Sequence, residues 1–358
     1  MTRHLAPKPP SWYHVPDDAC TCRAKGCSMK RYMAVSAILL LAATSFAMGT
    51  RESVANAPRG PLEMKVAALK GPTGIGMIKL FEEPPILPEA VTASFEAVGS
   101  ADAIAAKLLS GEVDAAVLPI NMAAKLYNAG LPYRMTALVG NGMVKILTAD
   151  PSVRSIADLR GREVFVAGQG ATPEFLMRTI LAKAGMVPDK DIRLNFSMPY
   201  PEMAASLVSG RIAIAVLPEP FATVAIKGNP ALIQPFALTA LWKNATGNDD
   251  YPMTAFVVRS SLIVQRPAAI KALLAAYKQA IAWAITNPAA AGLLVEKFDL
   301  GLKAPIAAAA IPASNYVFLS APASRAAVES LLSVFLAAAP ASIGGKLPDG
   351  DFYADAGL

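Results

Sequence analysis

Residues 104–123 read IAAKLLSGEVDAAVLPINMA, and residues 203–222 read MAASLVSGRIAIAVLPEPFA. The two segments align without a gap at an offset of 99, and half of their twenty positions are identical. Ser110-Gly111 falls on Ser209-Gly210, and Val117-Leu118-Pro119 falls on Val216-Leu217-Pro218. A bias towards alanine yields scattered matches, but it does not set Ser-Gly and Val-Leu-Pro in register twice. Each copy reads as an Ala/Leu-rich helix ended by a glycine, the residue that takes the left-handed conformation at least cost. A short strand follows, Ala115–Val117 in one copy and Ile212–Val216 in the other. It is continuously apolar rather than alternating, as a sheet buried on both faces requires. Proline then stops the strand and a new helix starts. Two such units predict two similar α/β lobes.

The flanking sequence fits alternating strands and helices. Strands are predicted at Leu62–Leu69, Ala93–Ala97, Tyr133–Val139 and Val144–Ala149, with a turn at Gly71–Gly76 and a short helix over Ile75–Phe81. Beyond residue 150 come a strand at Glu163–Val166, a helix over Thr172–Ala184, a strand at Arg193–Phe196 and a strand at Met253–Arg259. A long helix from Pro267 to about Thr286 follows, with Tyr277 and Trp283 on its core face, and the chain after Asn287 reads as helical. No Gly/Ser tether separates the halves, so crossing strands should join them. The predicted fold class is α/β, with each lobe a mixed sheet flanked by helices. Residues 58–150 plus 253–358 form the first lobe and 151–252 the second.

The chain is 54% hydrophobic and 17% charged, which is too apolar for disorder and enough for two domains. Lys30 and Arg31 precede a thirteen-residue apolar run, Ala34–Phe46, and small residues at 55–57 or 45–47 offer cleavage sites. The run is too short to cross about 30 Å of hydrocarbon and reads as an export signal, with an uncleaved anchor as the alternative. Residues 1–57 are therefore expected to be leader and signal, with the true start at Met29. Cys20, Cys22, Cys27, His4 and His14 all lie upstream of that methionine. The downstream chain has no thiol nucleophile, imidazole base or disulfide, which removes serine triads and every metal site built on His or Cys. No catalytic residue, metal or cofactor is expected, and without a Cys after the apolar run no lipid anchor. The net charge of +6 is scattered and gives no nucleic-acid patch.

In open α/β sheets, ligands sit beyond the carboxyl ends of strands, where helix N-termini point. Three turns meet that condition. The turn Gly71-Pro72-Thr73-Gly74-Ile75-Gly76 has the spacing of a phosphate loop, but Met77-Ile78 replaces the Lys and Ser/Thr that nucleotide chemistry needs. Thr73 and Gly74 remain candidates for ligand contact. The second turn is Gly168-Gln169-Gly170-Ala171-Thr172-Pro173-Glu174. Thr172 reads as an N-cap before Pro173, and Gln169, Gly170, Ala171 and Thr172 as the leading candidates. The third is the turn after each repeated strand, contributing Asn121 from one lobe and Glu219 and Phe221 from the other. Glu219 either meets a cationic group, caps a helix or pairs with an arginine. Asn141 is either a ligand contact near the lobe crossing or part of an Asn-Gly hairpin turn. Tyr200, Trp242 and Tyr251 stand in or beside loops, and Trp242 is added to the candidates.

From Leu62 to Phe298 the chain resembles the family of binding proteins for nitrate, sulfonates, taurine and thiamine precursors. Ile156-Ala157-Asp158-Leu159-Arg160-Gly161-Arg162 looks like that family's I-x-D-L-K-G-K opening of the second lobe, and Leu217-Pro218-Glu219-Pro220-Phe221 like its P-E-P-F segment. Arg266-Pro267 through Trp283 to Asn287-Pro288 resembles its long helix. The ligand-defining turns match none of the well-known substrates. The resemblance implies the periplasmic-binding-protein type II fold, with a small molecule held between two lobes and delivered to a cognate ABC permease in the inner membrane. Converging helix N-termini favour a small organic anion of the sulfonate or carboxylate type, with nitrate or a thiamine-precursor-like heterocycle as alternatives. A periplasmic monomer that binds no nucleic acid is expected. An enzyme or a ligand sensor on the same fold competes with that reading. The pyrimidine-making branch, however, uses a His and a Cys-rich motif that the chain after Met29 lacks.

Overall fold

The computed structural model describes residues 60–357 apart from Ala167. The leader, the apolar run and both cleavage sites lie outside the described residues. Among the described residues, ten strands form two sheets: β1 (Leu62–Leu69), β2 (Val91–Val98), β3 (Ala115–Pro119), β4 (Tyr133–Gly140), β5 (Val144–Thr148), β6 (Glu163–Val166), β7 (Arg193–Asn195), β8 (Ile214–Pro218), β9 (Thr254–Arg259) and β10 (Tyr316–Ser320). The first sheet has the order β10-β4-β9-β3-β1-β2 and the second β5-β8-β6-β7.

The repeated segments occupy the same place in the two sheets. β3 runs parallel to β1 and antiparallel to β9. β8 likewise runs parallel to β6 and antiparallel to β5. In each case the antiparallel partner is the strand on which the chain arrives from the other lobe. The helices Ala101–Ser110 and Tyr200–Val208 precede these strands, and Gly111 and Gly210 both take φ 72°, closing them in the left-handed conformation.

Three expectations need correction. β5 pairs with β8, so the second sheet begins at Val144, upstream of the boundary read at 151. β4 and β5 therefore lie in different sheets, and Asn141-Gly142 is a crossing between lobes rather than a hairpin turn. The chain after Asn287 is not wholly helical: β10 pairs antiparallel with β4. Its sequence, YVFLS, is β-branched and aromatic, a preference masked by the alanines around it.

A knot of hydrogen bonds holds the crossings. The Gly142 N–H donates to Asp250 Oδ1 at 3.0 Å, and the Asn315 amide donates to Asp250 Oδ2 at 2.7 Å. The Asn141 N–H donates to the Asn315 carbonyl at 3.1 Å, and the Met253 N–H to the Gly140 carbonyl at 2.9 Å. A Cβ on Gly142 would lie 2.3 Å from the Asp250 carboxylate and 2.9 Å from Tyr251, so only glycine fits where the strands cross.

One hydrophobic cluster runs through both lobes, joining Leu118, Met135 and Val257 to Ile146, Val164 and Val216. The C-terminal helix Ala321–Ala338 belongs to it, and Phe335 packs on Phe175 of the second lobe with ring centroids 4.3 Å apart. The helix Pro267–Thr286 is long and apolar enough to cross a membrane. It instead buries Ile270, Leu273, Leu274, Tyr277 and Ile281 in the first lobe's other core. Trp283 is only half-buried there, under the Lys79 ammonium at 4.8 Å from the ring centroid.

Candidate ligand-binding site

A cleft of about 520 Å³ lies where the carboxyl ends of the strands of both sheets meet. That size suits a small organic molecule. The first lobe contributes Lys70 to Thr73 after β1, Gly99 and Ser100 after β2, and Pro119, Asn121 and Met122 at the end of β3. The second contributes Gly170 to Pro173 after β6, Tyr200 after β7, and Pro218 and Phe221 after β8. Five of these positions open helices: Ala101–Ser110, Ile120–Asn128, Thr172–Lys183, Tyr200–Val208 and Phe221–Gly228. Each turns the positive end of its dipole toward the cleft; Ser100 Oγ takes the Ala103 amide at 3.2 Å and Glu219 Oε2 the Thr223 amide at 3.1 Å, and the first-turn amides left open favour a negative group there.

The walls between these helix starts are apolar. Met143 and Met253 flank the crossing, and Tyr200 and Phe221 stand 5.4 Å apart in the second lobe. Burial pushes the Tyr200 hydroxyl's pKa up. A Cβ on Gly168 would meet that hydroxyl at 2.6 Å, so Gly168, at φ 83°, leaves room for the ring. The one charged side chain among the lining residues is Lys70, whose Nζ lies 2.5 Å from Asp299 Oδ2.

Of the expected site residues, Thr73, Asn121, Gly170, Ala171, Thr172 and Phe221 line this cleft. The Asn121 side-chain oxygen is buried without a partner among the described residues. The second-lobe turn differs in detail from its sequence reading. Ala171, not Thr172, is the N-cap, and Thr172 and Pro173 open the helix. The Gly170 N–H is not free, because it donates to Glu174 Oε2 at 2.7 Å, while Glu174 Oε1 pairs with Arg178 at 2.7 Å. Glu174, in the first turn of the helix, thus reaches back to the amide of the residue that precedes the N-cap.

Five expected residues lie elsewhere. Gly74 is buried beneath the turn, where a Cβ would meet the Leu69 carbonyl at 2.6 Å, so its role is close packing. Gln169 is exposed and outside the lining. Asn141 sits in the crossing knot, with its side-chain oxygen buried and unpartnered among the described residues. Trp242 is inside the helix Leu238–Thr246, 1% exposed, edge-on to Tyr251 at 5.8 Å. Its stretch of polar residues resembled a loop, but the indole fills the core. Glu219 is fully buried. It accepts from the Thr223 N–H at 3.1 Å and pairs with Lys145 Nζ at 2.5 Å, so of its three readings the structure shows helix capping and an ion pair, with lysine rather than arginine. The sequence reading missed Lys70, Ser100, Met122, Met143, Met253 and Thr254. The repeat itself signalled Met122, which aligns with Phe221.

A family model described as the NMT1-like family matches residues 89–296. The chain is 29% identical over 137 residues to the nitrate/nitrite binding protein NrtA of Nostoc sp., a match spanning 37% of this chain and 29% of that protein's length. Among solved structures, an ABC transporter protein from Parabacteroides distasonis superposes with a TM-score of 0.69 at 26% identity, covering 82% of this chain and 98% of that one. The periplasmic aliphatic sulphonate binding protein SsuA from Escherichia coli superposes with a TM-score of 0.61 at 19% identity, over 77% of this chain and 87% of its own. The periplasmic nitrate-binding protein NrtA from Synechocystis PCC 6803 gives 0.53 at 17% identity, over 78% and 84%. These last two likenesses are of fold.

Proposed function

This chain belongs to the NMT1-like family, and on that footing we propose that it is the extracytoplasmic solute-binding component of an ABC importer, capturing a small organic anion between its lobes. The observation that carries the reading is the convergence of helix starts from both lobes on one apolar-walled cleft. The helix ends favour an acidic group. The methionines and the Tyr200–Phe221 pair favour an organic body behind it. A bare nitrate ion would leave most of a cleft of about 520 Å³ unfilled. Capture needs no bond chemistry: the ligand stabilises the closed arrangement by touching both lobes at once, and the crossings at Gly140–Val144 and Asp250–Met253 are where the chain can bend. The apolar run Ala34–Phe46 would direct export to the periplasm, where the protein, as a monomer, would meet its permease.

A thermal-shift panel of the purified chain tests this, using alkane- and arylsulfonates, the matching carboxylates, nitrate and thiamine precursors. A one-site ligand at about a hundredfold excess over its Kd should stabilise the fold by about 2.7 kcal/mol. Stabilisation by sulfonates or carboxylates is expected. Stabilisation by nitrate alone, or by none of the organic anions, overturns the reading.

A further inference from the structure

We infer that Lys70 is the side chain that recognises the acidic group of the ligand, with Asp299 as its built-in competitor. The inference rests on the organic-anion reading and adds to it the residue that selects for charge. Lys70 follows β1 directly and is the one charged side chain among those lining the cleft. The other cations nearby are committed elsewhere: Arg178 pairs with Glu174 at the second-lobe helix start, and Lys145 with the buried Glu219.

The Asp299 contact has the features of an exchangeable one. Asp299 is 82% exposed and Lys70 36%, so their attraction is screened by water and weak. The loop that carries Asp299 is nonetheless fixed, because the Gly71 N–H donates to the Leu300 carbonyl at 2.9 Å and Leu300 is fully buried. Asp299 itself stands at φ 50°, in the left-handed region that Asp and Asn tolerate better than other side chains. Lys70 holds the Asp299 carboxyl below its usual pKa, and Lys303 adds to the effect. Lys303, itself paired with Glu296 at 2.9 Å, stays in the field of Asp299 when Lys70 turns inward. A ligand anion beside Thr73 would meet Lys70 among converging helix ends, in a less hydrated setting where a charge-assisted hydrogen bond is stronger than at the surface.

Calorimetric titration tests the inference with butanesulfonate and benzenesulfonate, each against its uncharged sulfonamide. The wild type should prefer the sulfonates. Lys70→Met should weaken sulfonate binding about 10- to 100-fold and leave the sulfonamides little changed, while Lys70→Arg should retain most of the preference. Asp299→Asn, which preserves the backbone conformation, should tighten sulfonate binding about two- to fivefold. Melting of each variant without ligand verifies folding. A sulfonate preference that survives Lys70→Met, or a loss of affinity in Asp299→Asn, overturns the role given to this pair. A wild type that prefers neither these sulfonates nor the matching carboxylates over their uncharged amides overturns the organic-anion reading itself, and this inference with it.

Discussion

The two copies of the repeated segment share a backbone and differ in what they bury. At the cleft they agree: Pro119 and Pro218 line it from equivalent positions, as do Met122 and Phe221. Away from it they diverge. The first copy ties down its strand through Asp114, which pairs with Arg259 at 3.1 Å and accepts from the Lys65 N–H at 3.0 Å. The second has Ala213 at that place. Conversely, the first copy enters its next helix on Ile120, fully buried among apolar side chains, where the second has Glu219, equally buried and held by Lys145 and the Thr223 amide. The repetition thus sets the geometry of the binding surface, while each lobe stabilises that geometry with different chemistry.

The contrast is sharpest at Ile120 and Glu219. Glu219→Ala strands a Lys145 ammonium that is only 20% exposed, and about 3–5 kcal/mol of stability should be lost in urea unfolding. Lys145→Met combined with Glu219→Leu should recover most of it, because the pair's attraction largely offsets its own desolvation. Ile120→Ala removes apolar volume only, with an expected loss of about 2–4 kcal/mol and no partner able to rescue it. Equal rescue at both sites would erase the distinction.

At the cleft the copies should respond alike. Phe221→Ala and Met122→Ala should each weaken binding of an organic sulfonate about tenfold by titration, with small changes in Tm. A large effect from one lobe alone would mean that the walls are not used together. Asp114→Ala should cost about 1 kcal/mol, since its pair with Arg259 is only partly buried.

The smallest expected effect is in acid. The Asp150 carboxyl, at the opening of the second lobe, is held down to about 2 by its hydrogen bonds with Ser152 and then with Arg162. Its folded-state pKa lies below that of the unfolded chain, about 3.9, so its stabilisation is complete above that pH and disappears as pH falls through about 2. Asp150→Asn should flatten that part of the acid unfolding curve and leave the curve near neutrality with the same shape.

The sequence carried most of the fold because its signals were local and doubled. Ser-Gly and Val-Leu-Pro each mark a helix end or strand end within a few residues, and their repetition implied two matched lobes. Thr73, Asn121 and Phe221 were legible for the same reason: they stand just past strand ends. What escaped was set by distant partners. Lys70 looks like an ordinary residue before a turn until Asp299, 229 positions away, is brought beside it. Asn315 enters the crossing knot only because β10 pairs with β4, and the alanine-rich sequence around β10 hid that strand. Trp242 was misplaced because polarity along a segment does not say which way one indole points.

The most direct test of capture between lobes is hydrogen exchange on the full chain with and without a stabilising organic sulfonate. Simultaneous protection of the amides at Thr73 and Asn121–Met122 in one lobe, and at Ala171–Thr172 and Phe221 in the other, is the expected result. Protection confined to one lobe, or lying outside these turns, would contradict it.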